Sequence, residues 1–153
     1  MEILDNIPFV LNFDALLSRL RLDKESGYVR EVQHLVEMVT PVINPKAIYE
    51  VSYVQSRNYD KVHIGGVTFT SRVLRVNLDR VERVFPHVAT CGKELDGIDI
   101  PSDDFLARFW LDTIKGMALG ASMGYLSKYL KEKYALGKTS RMSPGAAAAD
   151  VWQ

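Results

Sequence analysis

Residues 46–70 read KAIYEVSYVQSRNYDKVHIGGVTFT, and this stretch decides the fold class. Its first part, Ala47–Gln55, is rich in Ile, Tyr and Val that alternate with polar residues, which predicts a half-buried strand. Three residues are expected on one side of this strand: Tyr49, Val51 and Tyr53. The alternation returns over residues 61–69 with Gly65 and Gly66 at its centre, a pattern typical of a β-hairpin.

The segments on either side have different patterns. Apolar residues recur at helical spacing over residues 29–39 and Pro41 follows, which predicts a helix that ends there. Another apolar segment, Arg83–Thr90, follows the hairpin. Because Pro86 interrupts it, this segment is expected at a sheet edge or at a bulge, and it closes on Thr90-Cys91-Gly92.

The last large element is predicted to be one long helix. Ser102 or Asp103 can cap its start, and the pattern continues to about Tyr134. About 32 helical residues would extend ~48 Å, whereas a globule of this length is ~40 Å across. The helix is therefore expected to overhang, to bend or to divide in two.

Three glycines repeat every fourth residue of this helix and share one stripe: Gly116, Gly120 and Gly124. A stripe without side chains lets another backbone approach closely. A bulky stripe runs beside it, formed by Leu106, Trp110, Ile114, Met117, Ala121 and Tyr125. We expect both stripes to pack on the sheet, and a ligand in the glycine groove is the alternative. Together these patterns predict an α+β fold with a twisted, mainly antiparallel sheet and a long helix packed on it.

The composition narrows the classes of function. The chain has 153 residues, 47% hydrophobic and 25% charged, as expected for one globular domain. Nineteen basic residues balance nineteen acidic ones, which disfavours a general nucleic-acid binder. Acidic residues interrupt the start of the chain where a secretory peptide would be apolar. The uncharged run between Lys115 and Lys128 is shorter than the roughly 20 residues of a membrane span, so we expect a cytoplasmic protein without a membrane partner.

The usual catalytic patterns are absent from the sequence. His34, His63 and His87 share no metal-ligand spacing, so surface or edge positions are the preferred interpretation and no metal site is expected. No P-loop, GxGxxG, GxSxG or zinc-finger spacing occurs. Cys91 is a candidate nucleophile, but no histidine is placed by sequence to activate it, and a packed small residue is preferred. We predict no catalytic residue.

One remaining segment, RMSPG at residues 141–145, has the chemistry of a binding loop. Pro144 fixes one φ and biases Ser143 towards an extended form, and Gly145 permits a positive φ and close approach. Arg141 supplies a forked donor that suits a carboxylate. Such a loop can present backbone amides and a guanidinium to a small anionic molecule.

The order of features along the chain resembles the activation domain of cobalamin-dependent methionine synthase and its stand-alone relatives, over about residues 28–145. The features are SRVLRVNL, the turn after a strand, a long helix ending in YLKEK, and RMSPG. In that family the turn is Thr-X-Gly, which Thr90 and Gly92 match. The family's tail motif, Arg-X-Ser/Ala-Pro-Gly, is matched by Arg141, Ser143, Pro144 and Gly145.

The resemblance implies a methionine-synthase-activation-domain-like fold and a part in a cobalamin-dependent methyltransferase system of methionine biosynthesis. It implies that S-adenosylmethionine binds at the tail motif, with the Thr90 and Gly92 turn contributing, near a cobalamin held by a partner protein. The partner would be a corrinoid-binding protein or a methyltransferase subunit, and its cobalt is methylated during reductive reactivation. By the same resemblance, the chain is not expected to be catalytic alone.

Two positions differ from the family's pattern. Ala146 stands where a tyrosine follows the Pro-Gly, and Gly124 stands where a helix carboxylate would meet the ligand's positive end. A protein-interaction module of the same fold, without small-molecule binding, is therefore the alternative. We predict a single domain over residues 1–145 and the start of a shortened C-terminal arm over residues 146–153, because Trp152 would normally pack on a later segment.

Overall fold

The computed structural model describes residues 1–143, which form an α+β fold with a long C-terminal helix. The helices are Phe13–Leu20 (α1), Val29–Val39 (α2), Arg72–Asn77 (α3) and Phe105–Lys133 (α4). The strands are Glu2–Leu4 (β1), Lys46–Tyr49 (β2), Ser52–Arg57 (β3), Lys61–Ile64 (β4), Val67–Thr70 (β5), Arg83–Val84 (β6) and His87–Thr90 (β7). Short 3-10 turns cover Thr40–Val42 and Lys93–Gly97. The α+β class is confirmed, while the activation-domain-like fold stays a prediction.

The described residues form two compact units. The sheet unit holds Met1–Glu2, Tyr49–His87 and residues 136–143, and the helical unit holds Ile3–Ile48 and Val88–Ala135. The single domain expected over residues 1–145 stays a prediction. Residues 144–153, which include the expected C-terminal arm, lie outside the described residues.

The sheet unit contains a four-stranded sheet in the order β5-β4-β3-β6, with every neighbouring pair antiparallel. Its centre is the predicted hairpin, in which Gly65 and Gly66 have φ of 54° and 82°. Two consecutive positive φ values belong to the turn that matches the right-handed twist of paired strands, which explains the two glycines. The core of this sheet is formed by Val54, Val62 and Ile64.

The single strand predicted over Ala47–Gln55 is wrong, because β2 and β3 are separate strands in different sheets. The side-chain alternation changes phase at the break: Tyr49 is buried, but Ser52 and Val54 are buried after it and Tyr53 is 59% exposed. A slip of one residue turns every later side chain to the opposite face of a strand. The apolar segment Arg83–Thr90 is also divided, with Pro86 between β6 and β7, and both strands lie at sheet edges as predicted.

The helical unit packs its helices around one apolar core. Buried side chains from α1, α2, α4 and the 3-10 turn Lys93–Gly97 form it: Leu16, Leu17, Leu20, Val32, Leu35, Val39, Leu95, Trp110, Leu111 and Ile114. The Asn12 side chain caps α1 by accepting a hydrogen bond from the Ala15 backbone N–H at 2.9 Å.

Strands β1, β2 and β7 form a three-stranded sheet in the order β1-β2-β7. The predicted helix over residues 29–39 is confirmed as α2.

Helix α4 is continuous over 29 residues, so of the three alternatives for this element the division into two helices is wrong. It begins one or two residues later than predicted, because Asp104 rather than Asp103 or Ser102 is the cap. The Asp104 carboxylate accepts a hydrogen bond from the Ala107 backbone N–H at 3.0 Å. No helix within residues 1–143 combines the length and the apolar character needed to cross a membrane.

The two stripes of α4 have different surroundings. Its inner face buries Trp110, Leu111 and Ile114, and continues through Ala118, Ser122, Leu126 and Leu130. The Ser122 hydroxyl donates a 2.6 Å hydrogen bond to the Lys46 carbonyl of β2. The glycine stripe is exposed, and a Cβ added at any of its three glycines would have no neighbour within 4 Å. The expectation that both stripes pack on a sheet is therefore wrong for the glycines, because the buried face follows every fourth residue from Trp110 and lies opposite to them.

Candidate functional site

The Thr90-Cys91-Gly92 turn follows β7 in the helical unit. The Gly92 backbone N–H donates to the Thr90 hydroxyl at 3.0 Å, which closes the turn. The Asn44 backbone N–H donates to the Cys91 carbonyl at 3.3 Å and ties the turn to the segment before β2. The sequence-predicted residues Thr90 and Gly92 are thus brought together in one hydrogen-bonded turn.

Gly92 is buried, and its φ of 97° lies in a region that other residues rarely adopt. A Cβ at this position would stand 2.7 Å from the Asn44 carbonyl oxygen and 2.7 Å from a Glu94 carboxylate oxygen. The close approach that the glycine permits is made by the chain's own backbone. Packing within the turn therefore accounts for Gly92, and a contact of Thr90 or Gly92 with a ligand stays a prediction.

A carboxylate that sequence reasoning missed lies beside this turn. Glu94 accepts a hydrogen bond from the Asn44 side-chain amide at 3.0 Å, and the Lys46 ammonium lies 3.5 Å from the same oxygen. A hydrogen bond from its own backbone N–H and the bond from Asn44 hold the pKa of Glu94 below its usual range, and Lys46 adds to the effect. The partners lie about fifty positions away in the chain, so no local pattern marked Glu94.

This cluster of Asn44, Lys46 and Glu94 presents an ionised carboxylate at the surface. The side chains of Lys46 and Glu94 are each more than a third exposed, so solvent screens their attraction. The Glu94 carboxylate already accepts a hydrogen bond from the Asn44 amide and lies beside the Lys46 ammonium. Because it is held by these partners, it is suited to fixing the turn rather than to transferring a proton.

The tail motif begins in the sheet unit, which contains Arg141 and Ser143. Both residues are exposed, and no carboxylate of residues 1–143 forms an ion pair with Arg141. Between them Met142 is half-buried, with its sulfur 3.1 Å from the Asn77 side-chain amide of α3. An exposed guanidinium on an anchored segment fits the carboxylate end of an amino-acid ligand.

The other predicted binding residues, Pro144 and Gly145, lie outside the described residues. Thr90 and Gly92 belong to the helical unit, and Arg141 and Ser143 belong to the sheet unit. The binding role predicted for all six residues stays a prediction.

The remaining reactive side chains have structural surroundings. Nitrogens of the His63 ring lie within hydrogen-bond distance of the Thr68 hydroxyl on the facing strand, and His87 Nδ1 donates to the Phe85 carbonyl at 2.9 Å. His34 is exposed, and Cys91 is half-buried. Within residues 1–143 no group of three or more His, Cys, Asp or Glu side chains could hold a metal ion.

A shallow hollow of about 140 Å³ lies in the helical unit, lined by residues 3–6 and Tyr125. Small-molecule sites usually occupy about 300 Å³ or more. The hollow contains none of the predicted binding residues, so it gives no support to the ligand site.

No protein-family model matches the chain, and no curated protein and no solved structure matches it either.

Proposed function

We propose that this chain is an accessory protein of corrinoid-dependent methyl transfer, which binds S-adenosylmethionine and docks on a corrinoid protein during reductive reactivation. The observation that carries the proposal is the order of three features. A Thr-X-Gly turn is followed by one uninterrupted helix, and that helix is followed by Arg-X-Ser-Pro-Gly.

In this proposal the donor's carboxylate binds the guanidinium of Arg141. A forked guanidinium can make two parallel hydrogen bonds to a carboxylate, which fixes both the position and the orientation of the amino-acid end. Ser143, Pro144 and Gly145 are the other residues of the motif, and the resemblance implies that they bind the donor together with Arg141. When bound, S-adenosylmethionine supplies an electrophilic methyl group, and the corrinoid of the partner supplies the accepting cobalt. The chain itself binds and orients the donor.

The test is a calorimetric titration of S-adenosylmethionine into the full chain and into the variant Arg141→Ala. Loss of a charged hydrogen bond to the donor should weaken binding by about 1.5 to 3 kcal/mol, or roughly 10-fold to 150-fold in Kd. Arg30→Ala is the matched control, because Arg30 is an exposed arginine on α2 that has no part in the proposal. Absence of binding heat for the unmodified chain, with or without a corrinoid protein, would contradict the proposal.

The second candidate is a protein-interaction module without a small-molecule site. It is favoured by the exposed apolar side chains on α4, where Phe105 is 76% and Phe109 is 55% exposed. The departures at Gly124 and Ala146 also favour it, because a sulfonium ligand would lack the carboxylate and the tyrosine that the family offers. A chain that binds a protein partner but gives no heat with S-adenosylmethionine would establish this candidate in place of the first.

A further inference from the structure

The four-stranded sheet of the sheet unit has one covered face and one open face. Val54 and Val62 are buried in the core on the covered face. Successive side chains of a strand point to opposite faces, so Tyr53 and Lys61 lie on the open face, where both are exposed. We name it the outer face of the sheet, and its strand residues include Tyr53, Gln55, Lys61, His63, Thr68 and Arg83.

The charge of this sheet is positive. Its four strands, β3 to β6, contain Arg57, Lys61 and Arg83 but no Asp and no Glu. The described part of the sheet unit has six basic and four acidic side chains within residues 49–87, two more basic ones within residues 136–143, and Glu2. These eight basic and five acidic residues leave an excess of three positive charges. The balanced charge of the whole chain therefore conceals a positive sheet unit.

Exposed tyrosines stand beside cations near both ends of the outer face. Tyr53 is 59% exposed and lies directly opposite Arg83 on the neighbouring strand. Tyr59 is 73% exposed in the loop between β3 and β4, two residues before Lys61. The Arg72 guanidinium lies 4.9 Å from the centre of the Tyr59 ring. Each end thus combines an exposed aromatic ring with a positive charge.

This combination identifies the chemistry of the ligand. Aromatic rings stack with bases of any sequence, while cations hold the phosphates of the backbone. An acidic protein segment would use the cations but would leave the two tyrosines without a flat partner. The bases of a duplex are already stacked on one another, so a single strand is the better fit. Tyr53 and Tyr59 are six residues apart, at most about 20 Å along an extended chain, so the ligand must span several nucleotides.

We propose that the outer face of the sheet binds single-stranded nucleic acid. Bases stack on Tyr53 and Tyr59, and phosphates lie beside Lys61, Arg72 and Arg83. The site belongs to the sheet unit and does not depend on the binding of S-adenosylmethionine. Because few phosphates are contacted, the affinity is modest and falls as the salt concentration rises.

The test is fluorescence anisotropy of a labelled single-stranded oligothymidylate of about a dozen nucleotides, titrated with the full chain at low salt. The variant Tyr53→Ala should weaken binding by about fivefold or more, because one stacking platform is lost. Tyr53→Phe is the matched control, since phenylalanine keeps the ring, and it should bind like the unmodified chain. A thermal melt of each variant shows whether the fold is retained.

The salt dependence tests the phosphate contacts and does not depend on the Tyr53 variants. Lys61→Ala should reduce the slope of log K against log salt by about 0.7, the value for one phosphate contact on a single strand. The control is Lys131→Ala, an exposed lysine of α4 in the helical unit, which should leave the slope unchanged.

Three results would overturn the proposal. The first is no binding of the oligothymidylate at low salt. The second is displacement by polyglutamate as readily as by unlabelled oligothymidylate, which would indicate an acidic protein partner instead. The third is a Tyr53→Ala variant that binds as tightly as Tyr53→Phe, or a Lys61→Ala variant with an unchanged slope.

Discussion

At the scale of single residues, Gly92 is constrained twice, by its φ of 97° and by the Asn44 carbonyl 2.7 Å from where a Cβ would stand. The variant Gly92→Ala should therefore destabilise the chain by about 2 to 4 kcal/mol, since strained φ and overpacking each cost a few kcal/mol. Urea unfolding measures the loss. Gly97→Ala is the control, because Gly97 is exposed with no neighbour within 4 Å, and it should change stability by no more than about 0.5 kcal/mol. Equal effects of the two variants would contradict this account of the turn.

The contribution of Glu94 to the stability of the fold is expected to depend on pH. Its pKa is lower in the folded chain, because its own backbone N–H and the Asn44 amide donate to the carboxylate. A lowered pKa stabilises the fold above the ordinary glutamate value of about 4.3, and this contribution is lost as the pH falls through the folded value. The melting temperature should therefore be higher for the unmodified chain than for Glu94→Gln at neutral pH, and the difference should close in acid. Asn44→Ala should reduce the same difference, and a difference that is constant with pH would contradict the assignment.

At the scale of elements, the hydroxyl of Ser122 joins α4 to β2 through the Lys46 carbonyl at 2.6 Å. Ser122 is fully buried, so Ser122→Ala should cost about 1 to 2 kcal/mol by removing this bond. Ser127→Ala is the control on the same helix, where the side chain is half-buried, and its effect should stay within about 0.5 kcal/mol. Thermal unfolding of both variants measures the difference. Similar losses in the two would show that the bond to β2 adds little.

Local signals were sufficient for some elements and insufficient for others. The hairpin around Gly65 and Gly66 was predictable, because consecutive glycines between alternating strands favour one turn geometry. The division between β2 and β3 was not, because the break near Glu50 depends on pairing with strands in two different sheets. The four-residue repeat of glycines in α4 also did not predict that the glycine stripe faces solvent. Small residues are compatible with burial or exposure, and only the packing of Trp110 and Ile114 decides between them.

At the scale of the whole molecule, the candidate site was predictable only in part. The position of the Thr90 to Gly92 turn after a strand was predictable because the signal is local, whereas its hydrogen bond was found only in the structure. The cluster at Glu94 depends on Asn44 and Lys46, which the fold brings from a distant part of the chain. Because these residues are about fifty positions apart, no local sequence pattern predicts the contact. Arg141 was proposed from its motif, and its binding role stays a prediction, while its exposure leaves the guanidinium accessible to a ligand.

The proposed function rests on one interaction, between Arg141 and the carboxylate of S-adenosylmethionine. The most direct measurement compares the Kd of S-adenosylmethionine with that of its decarboxylated analogue, in the full chain and in Arg141→Ala. The account predicts that the Arg141 variant binds S-adenosylmethionine about tenfold more weakly or worse, and that both proteins bind the analogue equally. If Arg141→Ala weakens both ligands to the same extent, or neither, the guanidinium does not bind the carboxylate and the account is contradicted.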